Sequence, residues 1–243
     1  MSTTSSSAWD GTTEYVPDLE AQAEAVIDGF FDHLAAALHL TDDFVAAMRA
    51  RHEQLHAANA DRIVDEPARH NVRMTLAVLA GYEALASSLD AESAYQAVHA
   101  AFTEPQAEVV ATGTRTMLDH AEDPFRAMVE LARSRESQTF GAGFVFEHPV
   151  DDESRFHADV HRCHYHDVLV ANGAPQLTPV LCAFDGNWIG AIDPDRHGFR
   201  FERTTTIGHG GSHCPFHFAR VGAEQPSAPA PEDSGRGGGR LDP

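Results

Sequence analysis

The hydrophobic pattern of this chain changes its period once, near Gly141. Before that residue, apolar side chains recur at steps of three and four, which is typical of one face of an amphipathic helix. After it, phenylalanines and other apolar residues alternate with polar ones, which is typical of half-buried strands. The sequence therefore predicts an α+β fold, with an N-terminal helical layer packed on a small, mainly antiparallel four-stranded sheet with two inserted helices.

Capping residues and prolines divide the first half into helices. The expected helices cover residues 19–38, 42–60, 68–88, 91–103 and 124–137. In the second half, four strands are expected around Phe144–Phe146, Phe156–Val160, Phe199–Phe201 and Phe216–Phe218. Helices over 164–172 and 176–190 separate the second strand from the third, and the glycines of GHGG at 208–211 predict a tight hairpin turn before the last strand.

Composition shifts mark the two ends of the chain. Residues 1–17 are rich in Ser and Thr, and residues 222–243 are rich in Pro, Gly and acidic side chains, so both are expected to be disordered tails. Between them we expect a helical half over 18–139 and an α+β half over 140–221. The N-terminus has neither a basic nor an apolar signal region, and three cysteines do not form a disulfide framework, so a cytoplasmic location is expected.

The charge of the chain restricts its partners. There are 37 acidic residues against 17 basic ones, a formal net charge of −20, so neither a nucleic acid nor an anionic membrane is expected to bind. The sequence contains no lysine, which excludes Schiff-base catalysis, pyridoxal phosphate anchoring and a P-loop. A small-molecule substrate is the expected partner, and the oligomeric state is left open.

The segment HEQLH, with His52 and His56 one turn apart, matches the helix motif of zinc proteases. Pairs of histidines at this spacing are expected by chance in a chain with 16 histidines, and no third ligand accompanies this pair. We therefore interpret these two histidines as part of an exposed, polar helix face.

A denser cluster of reactive residue types occupies FHADVHRCHYHD at 156–167, where a strand gives way to a helix. Cys163 lies at the start of that helix, where the helix dipole and a neighbouring imidazolium favour a thiolate. The alternative is that the histidines line a wet face of the sheet and that Cys163 only packs. Cys182 and Asp185 share a helix face further on, and Cys214 lies on the apolar side of the last strand. Three cysteines and an acid on elements that adjoin one sheet are candidates for a single site.

These residues also carry a family resemblance. The runs RCHYHDVLVANGAPQLTPVLCAFDGNWIGAI and GFRFERTTTIGHGGSHCPFHF resemble the L-2-amino-thiazoline-4-carboxylic acid hydrolase family, and the likeness extends over about 69–220. The positions that fit the family pattern are Arg162, Cys163, Tyr165, His166, Asp167, Gly173, Pro175, Leu177, Cys182, Asp185, Thr206, Gly210, Cys214, Phe216 and Phe218.

The resemblance implies a C–N hydrolase that opens a cyclic amidine or thiazoline, as in the conversion of 2-aminothiazoline-4-carboxylate to a carbamoyl-cysteine. On this view Cys163 or Cys182 is the nucleophile in a site that includes Cys214, Asp185 orients or deprotonates, and His166 transfers protons. Arg162 and Tyr165 are expected to bind the substrate, with Arg162 on its carboxylate. No cofactor is required by this mechanism.

Two alternatives stay open at this point. The C-terminal half also resembles the small-molecule sensor domain related to four-vinyl reductases, in which cysteines help to bind zinc. Cys163, Cys182 and Cys214 are then zinc ligands, completed by Asp185 or a histidine. The other alternative keeps the fold but assigns it different chemistry, either as an enzyme of specialised metabolism or as a binding module without catalysis.

Overall fold

The computed structural model of this chain describes residues 18–223. The predicted tails lie outside the described residues, apart from Gly222 and Ala223. Within residues 18–223, no helix is long and apolar enough to cross a membrane. The described part is α+β, as the change of period predicts.

All the regular secondary structure of the described chain before residue 140 is helical. They are α1 (Leu19–Leu38), α2 (Asp42–Ala58), α3 (Glu66–Leu85), α4 (Ala91–Thr103), α5 (Ala107–His120) and α6 (Pro124–Arg135). A π-helical turn, Glu136–Phe140, and a 3₁₀ turn, Gly141–Gly143, connect α6 to the sheet. The expected helices are confirmed in position, and α5 is an addition that the sequence did not predict.

All five helices that the sequence predicted begin at a side-chain cap; capping residues predicted α2, α4 and α6, and the apolar period predicted α1 and α3. Each of the five follows a residue whose side-chain oxygen accepts an N–H from three residues further on, at 2.8–3.3 Å: Asp18, Thr41, Asp65, Asp90 and Asp123. Such a cap stabilises a helix by about 1 kcal/mol. Helix α5 follows Gln106, which forms no side-chain cap, and its buried residues Met117 and Leu118 hold it against the sheet side of the fold.

The sheet contains β1 (Val145–Asp151), β2 (Arg155–Arg162), β3 (Phe199–Glu202) and β4 (Cys214–Arg220), in the order β1-β2-β4-β3, with every neighbouring pair antiparallel. All four predicted strands are confirmed. The two central strands pair Phe156 with Phe218 and Val160 with Cys214. Because side chains alternate along a strand, these residues share one face, and Phe156, Phe199 and Phe218 pack there against α5 and α6.

The segment between β2 and β3 differs in detail from its prediction. Helix α7 (His164–Ala171) is where the sequence places it, but the single helix expected over 176–190 is broken into a 3₁₀ turn (Pro175–Leu177), α8 (Thr178–Ala183) and α9 (Gly186–Ile189). The break falls at Asp185, whose carboxylate is held by Trp188 and Arg203. A short helix, α10 (Pro194–His197), was not predicted.

The tight hairpin expected at GHGG is wrong. Strands β3 and β4 are indeed antiparallel neighbours, but the eleven residues 203–213 connect them and include the 3₁₀ turn Ile207–His209. The loop crosses α8 so closely that a Cβ on Gly208 would lie 2.9 Å from the Cys182 sulfur. The glycine at 208 therefore serves a close approach to the thiol.

The exposed helix face expected for HEQLH is also wrong. Helix α2 packs on α3, so His52 is buried and its Nε2 lies 2.9 Å from the carbonyl oxygen of Arg73. Its ring also packs against Phe31, with 5.9 Å between the ring centroids. His52 is thus a core residue with a hydrogen bond to the backbone.

Elements from both sides of residue 140 share one core. Helix α3 contacts α7, and α4 contacts α8. Their buried residues, among them Leu76, Val98, Leu169 and Val180, belong to a single apolar cluster. The division into 18–139 and 140–221 stays a prediction, and the shared core fixes α7 and α8 against the helical layer.

Candidate functional site

The fold brings three elements that carry a cysteine to one place. Cys163 precedes the first residue of α7, Cys182 lies in α8, and Cys214 is the first residue of β4. Cys163 packs against the small apolar cluster that contains Cys214, and both Cys182 and Cys214 contribute to raising the pKa of Cys163. The three thiols, which we call the thiol cluster, therefore lie within electrostatic reach of one another.

Burial dominates the acidity of the thiol cluster. It raises the pKa of Cys163 to about 12 and that of Cys214 to about 11, and it also raises the pKa of Cys182. The backbone N–H groups of His166 and Tyr165 lower the pKa of Cys163, as the helix start predicts, but the loss of hydration outweighs them. The expectation of a low-pKa thiolate at Cys163 is corrected on this ground.

Cys182 has a different environment from the other two thiols. Burial is the largest effect on its pKa and raises it, as does the negative charge of Asp185, whereas the Thr206 hydroxyl, the positive charge of Arg203 and the Gly208 backbone N–H lower it. In contrast, the sulfur of Cys214, in β4, accepts a hydrogen bond from the backbone N–H of Ile207, in the β3–β4 loop, at 3.1 Å. Among the three, Cys182 is the thiol that a hydroxyl group, a cation and a backbone donor all surround.

The Thr206 hydroxyl interacts electrostatically with the Cys182 thiol and also contacts an exposed imidazole. Thr206 is buried, and its Oγ1 lies 2.8 Å from Nδ1 of His209, which is exposed. Thr206 fits the family pattern in the sequence, but no role was expected for Thr206 or His209. The loop conformation brings these two side chains into contact, and the tight turn expected from the sequence does not contain this contact.

Asp185 is held by two donors. Arg203 Nη1 donates to one carboxylate oxygen at 2.5 Å, and Trp188 Nε1 donates to the other at 3.0 Å. Arg203 also donates to the carbonyl oxygen of Cys182 at 3.1 Å and stacks over Phe216, 5.2 Å from the ring centroid. This arrangement ties the end of α8 to the β3–β4 loop. Arg203 was not among the predicted site residues.

The remaining predicted residues have other partners. His166 Nδ1 lies 3.0 Å from Oγ1 of Thr178, which is one turn before Cys182 on α8. Tyr165 donates to Oδ1 of Asn71 at 3.1 Å. Arg162 is exposed and donates to Asp167 at 2.7 Å, so its guanidinium already has a carboxylate partner. Their roles in binding and proton transfer stay predictions.

The two strand histidines of the 156–167 segment, His157 and His161, lie on the opposite face of the sheet from Cys214, whereas His164 and His166 belong to α7. His157 stacks on His217 with 3.8 Å between centroids, and His161 stacks on His213 with 5.2 Å. Asp159 lies between them, 2.8 Å from Nε2 of His217. The alternative of a sheet face lined by histidines is the one that the structure supports.

Among residues 18–223, no group of three or more His, Cys, Asp or Glu side chains is arranged to hold a metal ion. The thiol cluster in this arrangement does not fit the three-cysteine zinc site that the sensor-domain resemblance implies. That resemblance has no further support.

Comparison with known proteins identifies one family. The family model described as L-2-amino-thiazoline-4-carboxylic acid hydrolase matches residues 70–218, which is more than half of the chain and extends from α3 to β4. Among curated proteins and among solved structures, nothing matches. All members of the thiol cluster, together with Asp185, Arg203, Thr206 and His209, lie inside the matched range.

Proposed function

Because this chain belongs to the L-2-amino-thiazoline-4-carboxylic acid hydrolase family, we propose that it hydrolyses a small cyclic amidine of the 2-aminothiazoline-4-carboxylate type with Cys182 as nucleophile. The family match supports the hydrolase class and the type of substrate. The cysteine-centred site, and the choice of Cys182 within it, rest on the contacts of the three thiols.

One observation carries the choice of Cys182: its thiol has a route for its proton. The Thr206 hydroxyl interacts with Cys182, and the same hydroxyl oxygen lies 2.8 Å from the exposed His209 imidazole. A thiol must lose its proton to become a strong nucleophile. When burial keeps the pKa of the thiol high, an adjacent base has to accept that proton. In this proposal Thr206 passes the proton to His209, and the 2.8 Å distance between the two side chains supports that role.

The other two thiols are weaker candidates on the same criterion. Burial raises the pKa of Cys163 to about 12 and of Cys214 to about 11, so at neutral pH almost no thiolate forms without a base. The donors to both are backbone N–H groups, which stabilise a thiolate but accept no proton. In the proposal they lie near Cys182 and take no part in proton transfer.

The proposed reaction consumes one water. The Cys182 proton passes to Thr206 as the Thr206 proton passes to His209, and the sulfur bonds to the ring carbon that bears the amino group. The ring bond from that carbon to its leaving heteroatom breaks, and the leaving atom takes the proton from His209. Water then adds to the same carbon, and the carbon–sulfur bond breaks as Cys182 regains a proton, which releases the carbamoyl product.

Arg203 and Asp185 act in this proposal as positioning residues. Arg203 binds both the Asp185 carboxylate and the Cys182 carbonyl, so it fixes the end of α8 relative to the loop that carries Thr206 and His209. Asp185 was expected to orient or deprotonate, and because both of its oxygens accept hydrogen bonds, orientation is the role we propose. His166, through Thr178, is the second imidazole near α8 and the alternative proton donor to the leaving atom.

The test is turnover of 2-aminothiazoline-4-carboxylate, measured by mass spectrometry of substrate and product, in the wild type and in three single Cys→Ser variants. We expect Cys182→Ser to lose at least about a thousandfold in kcat, because the nucleophile is removed. Cys163→Ser and Cys214→Ser are expected to stay within about tenfold of the wild type once thermal denaturation confirms that they fold.

Other outcomes reject parts of the proposal. Full activity in all three variants would exclude covalent catalysis, and loss in Cys163→Ser alone would move the nucleophile to that residue. A chelator added to the wild type is expected to leave turnover unchanged, whereas a loss that zinc restores would favour the metal mechanism.

A further inference from the structure

Arg135, the last residue of α6, has no hydrogen-bond acceptor among residues 18–223. It is half-buried, and its Nε is inaccessible and without a partner. Every other arginine of the described chain that is not fully exposed donates at least one hydrogen bond to a protein oxygen, whereas Arg135 only stacks over Phe140, 5.5 Å from the ring centroid. A half-buried guanidinium without an anion destabilises the folded state, because its charge has lost part of its hydration and no hydrogen bond to an anion compensates for the loss.

Two further polar groups without partners lie in the π-helical turn that follows. The side-chain oxygens of Gln138 and Thr139 are both inaccessible and form no hydrogen bond within residues 18–223. Buried polar atoms are nearly always paired in native proteins, and π-helical turns inside or after α-helices are frequent at functional sites. Two of these three groups, the Arg135 guanidinium and the Thr139 hydroxyl, are donors that lack an acceptor and therefore call for an anionic or acceptor ligand, whereas the Gln138 oxygen is itself an acceptor.

Hydrogen bonds connect this turn to Tyr165, a residue near the thiol cluster. Asn71 donates to the carbonyl oxygens of Thr139 at 3.0 Å and Phe140 at 3.3 Å, and its own side-chain oxygen accepts the Tyr165 hydroxyl at 3.1 Å. Tyr165 is two residues after Cys163, and the charges of Arg135 and Cys163 both act on its pKa. Arg135 and Cys163 thus both act electrostatically on the partly buried Tyr165.

We propose that Arg135, together with the Thr139 hydroxyl, binds the carboxylate of the substrate. The inference rests on the proposed function, because a thiazoline carboxylate supplies the missing anion. A planar guanidinium matches a carboxylate in charge and geometry, and a hydroxyl adds one donor. Arg162, the residue expected from the sequence for this role, is exposed and already paired with Asp167.

The test compares two substrates that differ only in the carboxylate: 2-aminothiazoline-4-carboxylate and 2-aminothiazoline. Arg135→Gln is expected to lose about 10- to 100-fold in kcat/KM for the carboxylate, because a hydrogen bond to a charged group is removed, and to change little for the uncharged substrate. Arg126→Gln, on an exposed arginine of the same helix that pairs with Glu130, is the matched control and is expected to keep the wild-type ratio.

The outcomes separate the two proposals. If Arg135→Gln keeps the wild-type preference for the carboxylate, this inference is wrong while the hydrolase proposal stands. If the wild type turns over neither compound, calorimetric binding of 2-aminothiazoline-4-carboxylate decides: binding lost only in Arg135→Gln supports the carboxylate site, and equal or absent binding overturns it. Should Arg135→Gln fail to fold, Arg135→Lys and Thr139→Val undergo the same comparison, with smaller losses expected.

Discussion

The two faces of strands β2 and β4 place their reactive side chains in different environments. On one face four histidines stack in two pairs around Asp159, and each of them has a neighbour of its own kind. On the other face Cys214 adjoins a loop and a helix that surround Cys182 with donors of different types. The histidine face is richer in titratable residues, but the thiol face is the one where a buried hydroxyl, that of Thr206, interacts with both a thiol and an exposed imidazole.

This difference teaches that the number of reactive side chains is a poor guide to a site. Histidines at alternate positions of paired strands meet because of the pleat of the sheet, without any need for chemistry. The thiol side depends on contacts between elements distant in sequence, and a loop without a side chain at Gly208 is required to make them. The experiments below test whether the two faces differ in function as they do in structure.

The largest effect after loss of the nucleophile is expected from Thr206→Val, which keeps the shape of the side chain and removes the hydroxyl between Cys182 and His209. We expect kcat to fall about a hundredfold, within the usual contribution of a proton-transfer group. The same variant should show a steeper rise of rate with pH, because hydroxide then has to replace the base. Thr205→Val, on the neighbouring residue, is the control, and equal losses in both would contradict the relay.

A smaller effect is expected from Gly208→Ala. Its new Cβ would lie 2.9 Å from the Cys182 sulfur and 3.0 Å from a Thr178 methyl carbon, so the loop must move away from α8. We expect a loss of about 1–3 kcal/mol in the free energy of unfolding, with a lower kcat. Gly186→Ala has nothing within 4 Å of its Cβ and is the matched control, measured in the same denaturant titration.

The smallest effect is expected on the histidine face. Burial first, and then the neighbouring His217, lower the pKa of His157 below its usual 6.5. Below pH 6.5 the unfolded chain therefore binds a proton that the folded chain does not, so stability falls as the pH falls from 6.5 through the lower folded-state pKa, and is unaffected above 6.5.

In His157→Gln, the free energy of unfolding should fall less steeply as the pH falls below 6.5. The difference in slope should be well under about 1.4 kcal/mol per pH unit, which is the limit for one proton. Thermal denaturation between pH 5 and 7 measures the change, with His120→Gln, on an exposed histidine outside the sheet, as control. The variant should also retain turnover. A large loss of turnover would break the distinction between the two faces.

Local rules predicted most of the secondary structure. Helices with a capping Asp or Thr and strands with alternating phenylalanines were found at nearly their observed positions, because both signals act within a few residues. Helix α5 was missed since it has no cap, and α8 and α9 were merged because the break at Asp185 depends on Arg203, which is distant in sequence. His52 was misjudged for the same reason, as only the packing of α2 on α3 buries it.

The sequence alone determined the fold class, the family and the residue types of the site. Periodicity fixes which faces are apolar, and the ordered cysteines with the Cys-x-x-Asp motif identify the family that the match over residues 70–218 confirms. Tertiary structure decided which of these residues meet. Burial raised the pKa of each thiol, and the β3–β4 loop brought Thr206 close to Cys182 and in contact with His209. It also decided that Arg203 pairs with Asp185, whereas Arg135 has no acceptor among the described residues. Hydration and charge pairing depend on neighbours brought together by folding, and no local pattern records them.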